Sequence, residues 1–367
     1  MPFSLPLYTP PDFDGPLLRG APTVRFARVE KNGVAPDHYH ATSIFPEYFQ
    51  LAKGDWRLPR ESRMDCVVVL SPEGDLLVQE FRCLKAGDLV ALGRGENGEE
   101  GILVHVGGFD FPSRVPDPFS FRKRISRETS FSIDYEELYD LLEHERAEGF
   151  ILWVLGPAVV FDRDARNAFV SLVEQGYVHA LLAGNALATH DLEASLFGTA
   201  LGQEIYSKRS LPLGHYKHLD ALNRIRNTGS IRKAIAEGLI PDGIMRALTG
   251  RGIPYVLAGS IRDDGPLPEV IADVYAAQDA MRSLARRATT VIALATQLHA
   301  IATGNMVPSY AVTEAGRVRP IYFYSVDMSE FAVSKLADRG SLTARSILTN
   351  VQDFVVMVEK RLVQKSG

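Results

Sequence analysis

Ile253-Pro-Tyr-Val-Leu-Ala-Gly259-Ser-Ile-Arg262-Asp263-Asp264-Gly265-Pro-Leu-Pro268 is a short apolar run that ends in glycine, arginine and two adjacent carboxylates. Such a run reads as a buried parallel strand delivering polar groups to the rim of an open α/β sheet, where sheets of this kind bind ligands. The same pattern recurs on both sides of it. Residues 151–155 lead to Gly156-Pro157, 178–183 to Gly184-Asn185, 290–295 to Thr296, and 321–326 to Asp327. Amphipathic stretches at 165–174, 219–237 and 269–287 predict helices between these strands. Apolar strands alternating with such helices predict a doubly wound, mostly parallel, Rossmann-like α/β domain over residues 150–367.

The N-terminal third has a different texture. Residues 1–45 are Pro-rich and irregular, yet apolar enough to drape over a core. From 63 to 106, short β-like runs at 66–70, 76–81, 89–92 and 102–106 alternate with Gly and acidic turns, which predicts a small antiparallel sheet or barrel. The division is therefore a β-rich domain with a Pro-rich leader at 1–125, a bridge at 126–149 with a helix over 135–148, and the α/β domain. Gly93-Arg-Gly95-Glu-Asn-Gly98 spells a dinucleotide fingerprint, but another strand follows it where the fingerprint requires a helix, so it reads as a turn.

Composition narrows the function classes. Of 367 residues, 46% are hydrophobic and 23% charged, with a net charge of -5. That is a globular, mildly acidic chain without the basic tract that nucleic-acid binding needs. Cys66 and Cys83 sit far apart in apolar surroundings and read as buried free thiols, which fits a reducing cytoplasm. No signal peptide and no apolar run long enough to span a membrane is visible. His215 and His218 have a spacing that metal ligands use, but no third ligand completes a site, so no metal is expected. The absence of a G-x-S-x-G elbow and of a P-loop disfavours hydrolase and kinase readings.

The carboxyl ends of the C-terminal strands converge on one crevice, where glycine allows close backbone approach and helix N-termini face anions; a dinucleotide suits so long a crevice. Plainer roles stand beside this one. Asp263 and Asp264 are also a residue type that caps helices, His190 and His299 also fit as structural histidines, and Lys335, Asp338 and Arg339 also fit a solvated helix end.

Four blocks make a resemblance specific: Ala180-Leu-Leu-Ala-Gly-Asn-Ala-Leu-Ala-Thr-His-Asp-Leu-Glu193, Val256-Leu-Ala-Gly-Ser-Ile-Arg-Asp-Asp-Gly-Pro-Leu-Pro268, Leu298-His-Ala-Ile-Ala-Thr-Gly-Asn-Met306 and Lys335-Leu-Ala-Asp-Arg-Gly-Ser341. In order, they resemble the signature blocks of the archaeal-type ornithine cyclodeaminase family. Residues 45–125 are similar to that family's lysine-oxoglutarate reductase/saccharopine dehydrogenase region, and the C-terminal half more distantly resembles the deoxyhypusine-synthase-like NAD-binding fold. The resemblance implies an NAD-dependent ammonia lyase of amino-acid metabolism. NAD takes hydride from the α-carbon of ornithine, the δ-amine closes the ring, ammonia leaves, and the returned hydride gives proline.

It further implies that Asp263 or Asp264 handles the substrate amines, Arg262 or Lys335 holds the carboxylate, and His299 shuttles a proton. Gly156, Pro157, Ala183, Gly184, Asn185, His190, Asp191, Gly259, Ser260, Thr296, Gly304, Asn305, Asp327 and Asn350 would line the cofactor, with Asp191 or Asp327 on ribose hydroxyls. A diamino acid substrate and a homodimer or homotetramer are expected, with no nucleic-acid or membrane partner. The chain departs from the family pattern at Val160-Phe161-Asp-Arg-Asp164, Ser126-Arg-Glu-Thr-Ser130 and Thr349-Asn350. Those departures leave two alternatives: an enzyme of another diamino acid, amino acid or polyamine, and a silent NAD-binding regulator.

Overall fold

In Ile151-Leu-Trp-Val-Leu155 and Thr290-Val-Ile-Ala-Leu294 every residue is buried, as expected of strands covered on both faces. A computed structural model of the protein describes residues 3–111, 132–263, 265–329 and 341–364. It places these two strands side by side at the centre of a seven-stranded sheet, ordered Val270–Ile271, Tyr255–Ala258, Ala180–Gly184, Ile151–Leu155, Thr290–Leu294, Tyr322–Asp327, Thr343–Leu348. All neighbours are parallel.

Alternate side chains point to opposite faces. Ile151, Trp153, Leu155, Leu181, Ile292 and Leu294 join one core with Phe169, Leu192 and Phe354, which come from the helices Arg163–Glu174, Asn185–Phe197 and Val351–Leu362. Leu152, Val154, Leu182, Val291 and Ala293 join the other, under Val274–Ala285 and Gln297–Met306. Helices on both faces make the sheet doubly wound. The chain reverses direction across the sheet between Ile151–Leu155 and Thr290–Leu294, so the topological switch point lies at their carboxyl ends.

The N-terminal region is β-rich and antiparallel. Arg25–Arg28, Leu89–Leu92, Val67–Leu70 and Leu76–Gln79 form one sheet, and Asp55–Arg57, Glu47–Ala52 and Ile102–Val104 a second. Phe49 and Ile102 of the second pack on Val68, Val78 and Ala91 of the first. The pseudo-fingerprint lies in the connection between Leu89–Leu92 and Ile102–Val104, as a turn. Phe3 and Leu5 of the leader pack on the α/β core.

The two regions share structure. Glu61–Ser62 pairs with Tyr310–Val312, and Glu80 accepts from both Arg63 and Arg282, each at 2.6 Å. Cys66 and Cys83 are free thiols; Cys66 is buried, which pushes its thiol up to about 11, while Cys83 is only half-buried.

Three expectations need correction. The helix predicted over 219–237 is two, Gly214–Thr228 and Ile231–Ala236, because Gly229 turns left-handed (φ 87°) and Ser230 caps the second. The segment 269–287 begins as an edge strand, and its helix starts only where Asp273 caps Val274–Ala285. Thr343–Leu348 is an additional strand whose mixed polar sequence carries no alternation.

Candidate active site

Gly156 follows the last residue of one switch-point strand, and its N–H donates to Leu294 O at 2.8 Å on the other. A Cβ at Gly156 would stand 2.0 Å from Ala295 O, so the two strand ends approach as only glycine allows. Ala295 takes a left-handed conformation (φ 48°), which turns the chain sharply toward Thr296 and Gln297–Met306. The sequence gives no hint of that special backbone, since alanine rarely adopts it.

The helix starting at Gln297 carries His299 past Ile151–Leu155 and over the end of Ala180–Gly184, two strands away from Thr290–Leu294. A Cβ at Gly184 would meet His299 Cε1 at 2.8 Å. Burial lowers the pKa of His299 below the ordinary imidazole value, and the nearby Asp263 charge opposes that shift. The ring is therefore neutral near pH 7 and able to accept a proton. Asp263 is held in a tight turn: its N–H donates to Ser260 O at 3.0 Å and its Oδ2 accepts from Ser260 N–H at 2.9 Å. Gly259, whose N–H donates to Ile271 O at 2.9 Å, starts this turn, and Arg262 stands exposed on it. Gly156, Gly184, Gly259, Ser260, Arg262, Asp263, Thr296 and His299 thus belong to one rim.

Arg163–Glu174, Ile231–Ala236, Val274–Ala285 and Val351–Leu362 are capped by the side chains of Asp162, Ser230, Asp273 and Asn350. Asn185–Phe197 and Gln297–Met306, the two helices that start at the crevice, have no side-chain cap from Gly184 or Thr296; Gly214–Thr228 is likewise uncapped, and Ile244–Gly250 lacks a cap from Gly243 but has its first N–H groups on Asp191. The first-turn N–H groups of the two crevice helices face the rim, a donor set that fits the pyrophosphate of a dinucleotide.

Other expected residues lie elsewhere. Asp191 is fully buried: its Oδ1 accepts from Arg166 Nε at 2.7 Å and Ile244 N–H at 3.0 Å, and its Oδ2 from Met245 N–H at 2.8 Å. It cannot reach a ribose hydroxyl. Asp327 ends its strand partly exposed, with Oδ1 accepting from Ser329 N–H. His190 is buried against Glu193, its Nδ1 2.8 Å from Oε2, and Ala183 packs in the core. Gly304 and Asn305 are not in a loop; they lie in Gln297–Met306, about 10 Å from its start at 1.5 Å per residue. Pro157 begins the short 3-10 turn Pro157–Phe161 after Gly156.

The departures at Phe161 and Asn350 carry structure: Phe161 stacks edge-on to His190, and Asn350 caps the last helix. Asp264, Lys335, Asp338, Arg339 and residues 126–130 lie outside the described residues. Among the described residues, no group of three or more His, Cys, Asp or Glu is arranged for a metal, and no helix is long and apolar enough to cross a membrane.

An open cavity of about 700 Å³ lies at the opposite, amino-terminal edge of the sheet, lined by Leu7, Tyr8, Tyr48, His144, Arg317 and Arg319 among others. None of the residues singled out by sequence lines it.

Residues 136–358 match the family described as arginine dihydrolase ArgZ-like, C-terminal, Rossmann fold. The ornithine cyclodeaminase of Methanocaldococcus jannaschii is 38% identical over 348 residues, covering 92% of this chain and 78% of that protein. A conserved LOR/SDH protein from Methanococcus maripaludis S2 has a crystal structure that superposes with a TM-score of 0.84 at 35% identity, over 94% of this chain and 100% of that one. The ternary complex of AgrE with ornithine and NAD+ superposes with a TM-score of 0.58 at 30% identity, over 95% of this chain and 46% of that one.

Proposed function

Because this chain belongs to the ornithine cyclodeaminase family, we infer that it converts L-ornithine to L-proline and ammonia with NAD as its cofactor. The observation that carries this reading is the AgrE complex with ornithine and NAD+, whose fold the chain shares over 95% of its length. The uncapped helix ends at Gly184 and Thr296 fit the dinucleotide. NAD supplies reversible two-electron oxidation when bound, so a redox-neutral reaction such as this needs no other oxidant.

The residues of the chain do the rest. His299, neutral through burial, takes the proton that the α-ammonium must lose before the α-carbon is oxidised. Asp263, fixed by Ser260, holds a substrate amine, and Arg262 on the same turn pairs with the carboxylate. Asp264 and Lys335 are further candidates for the amine and the carboxylate. Gly156, Gly184, Gly259, Thr296 and Asp327 line the cofactor. The packed switch point around Gly156 and Ala295 keeps water from the base of the crevice. We further propose a cytoplasmic homodimer or homotetramer; the exposed apolar side chains Leu213, Tyr216 and Leu219 at the start of one helix support self-association.

Purified protein given L-ornithine and a trace of NAD+ should release equimolar proline and ammonia without net NADH. Asp263→Asn should lose turnover while still binding NAD+. Accumulating NADH would replace this reading with a dehydrogenase, and tight NAD+ binding with no ammonia from any diamino acid would favour a silent regulator.

A further inference from the structure

We propose that Asn185 is a positioning residue that fastens the Asp263 loop to the dinucleotide end of the crevice. It acts through its side-chain oxygen on the backbone N–H of Leu267. The inference rests on the ornithine cyclodeaminase reading, and takes Asn185 out of the set of simple cofactor contacts to which the sequence assigns it.

The geometry is specific. Asn185 opens Asn185–Phe197, directly after Gly184, over which His299 sits. Its Oδ1 accepts from Leu267 N–H at 3.1 Å and from Thr189 Oγ1 at 3.3 Å, and the side chain is buried. A backbone N–H only donates, so the amide oxygen must be the atom facing Leu267. Leu267 is itself buried, four residues past Asp263. The loop therefore has one anchor at Gly259, on Ile271 O, and the other at Leu267. Arg226 adds a bond from Nη1 to Pro266 O at 3.1 Å, but that arginine is exposed and its bond competes with water. Glu269, beyond the loop, is engaged with Ile231 N–H.

Removing the Asn185 oxygen leaves a buried N–H without an acceptor, the costlier kind of hydrogen-bond loss. The folded protein relieves it by letting the loop move, and Asp263 moves with it. The helix end that faces the dinucleotide and the loop that carries the carboxylate would then no longer move as one unit.

The test compares Asn185→Ala, Asn185→Asp, Thr189→Val and Arg226→Ala with the wild-type enzyme. Three readouts are taken: ornithine KM and kcat, NAD+ dissociation constant by titration, and hydrogen exchange of the Leu267 amide. Asn185→Ala should raise ornithine KM about tenfold or more, leave NAD+ affinity within about threefold, and speed Leu267 exchange. Asn185→Asp, which keeps the acceptor, should restore both KM and exchange. Thr189→Val should change neither, and Arg226→Ala should move KM in the same direction by less. Equal losses of NAD+ and ornithine affinity in Asn185→Ala, an aspartate variant as impaired as alanine, or unaltered Leu267 exchange would each overturn the proposal. Wild-type turnover of ornithine is measured first; if it were absent the functional reading would fall, while Leu267 exchange would still decide this one.

Discussion

Gly184→Ala separates catalytic geometry from folding more sharply than any other single change at the rim. The added methyl would stand 2.8 Å from His299 Cε1, with Ala258 O and His299 Nδ1 both at 3.7 Å. Carbon atoms in ordinary contact lie about 3.5–4.0 Å apart, so the imidazole must retreat by about 1 Å. The obstacle is the tip of a rotatable side chain, and the ring can move without unpacking the sheet. The expected stability cost is about 1 kcal/mol, the low end for an overpacked site. That corresponds to a Tm lower by about 2–4 °C for a domain of this size.

Catalysis should suffer far more than stability. Displacing a proton acceptor by about 1 Å costs about 100-fold in turnover, which is about 2.7 kcal/mol of activation free energy. The assay is proline formation at saturating NAD+ and ornithine, alongside thermal unfolding of the same samples. A variant that keeps kcat within about twofold at unchanged Tm would show that the ring does not occupy the space above Gly184. Placing Gly184→Ala on a His299→Ala background gives a second check. With the ring gone, the methyl should cost no stability, a non-additivity that only direct contact produces.

Further outcomes follow from two buried titratable groups. Asp191→Ala should destabilise the fold by about 3–5 kcal/mol in denaturant, because it leaves the buried Arg166 guanidinium with one carboxylate, on the exposed Asp242. The folded fraction should bind NAD+ with unchanged affinity, and a selective loss of NAD+ binding would return Asp191 to the cofactor. For His299, the unfolded imidazole takes a proton near pH 6.5, whereas the folded one resists until lower pH because of burial. In that window the unfolded state holds more protons, so this residue's contribution makes the fold less stable as pH falls through it. The slope of stability against pH below about 6.5 should be shallower in His299→Gln. The acid limb of wild-type kcat/KM should lie below the ordinary imidazole value, and ring titration by NMR in Asp263→Asn should move lower still, since the carboxylate that opposes the shift is gone.

The α/β half was legible because strands buried on both faces must be continuous apolar runs, and Ile151–Leu155, Tyr255–Ala258 and Thr290–Leu294 are. The glycines at their ends were legible as sites of close approach, although what approaches is Ala295 O and the His299 ring as much as any ligand. What was not legible is which polar groups the fold itself already engages. Asp191, inside the helix that follows Ala180–Gly184, and Asp263, in the loop that follows the neighbouring strand Tyr255–Ala258, are the same residue type. One meets Arg166, 25 residues before it, and two helix N–H groups, the nearer 53 residues after it; the other bonds three residues back and faces a histidine. Thr-Gly-Asn at 303–305 has the composition of a loop, yet Gly304 continues a helix, at a position where a Cβ would meet only an ordinary contact, 3.9 Å from Phe323. Asn185 reads as a ligand contact until its oxygen is traced to Leu267, 82 residues on. In each case the deciding fact is a partner remote in sequence. A donor or acceptor at a sheet edge is open to a ligand only when no buried backbone group has a prior claim on it, and on that condition His299 and Asp263 are the groups we propose for the chemistry and Asn185 the one we propose for its support.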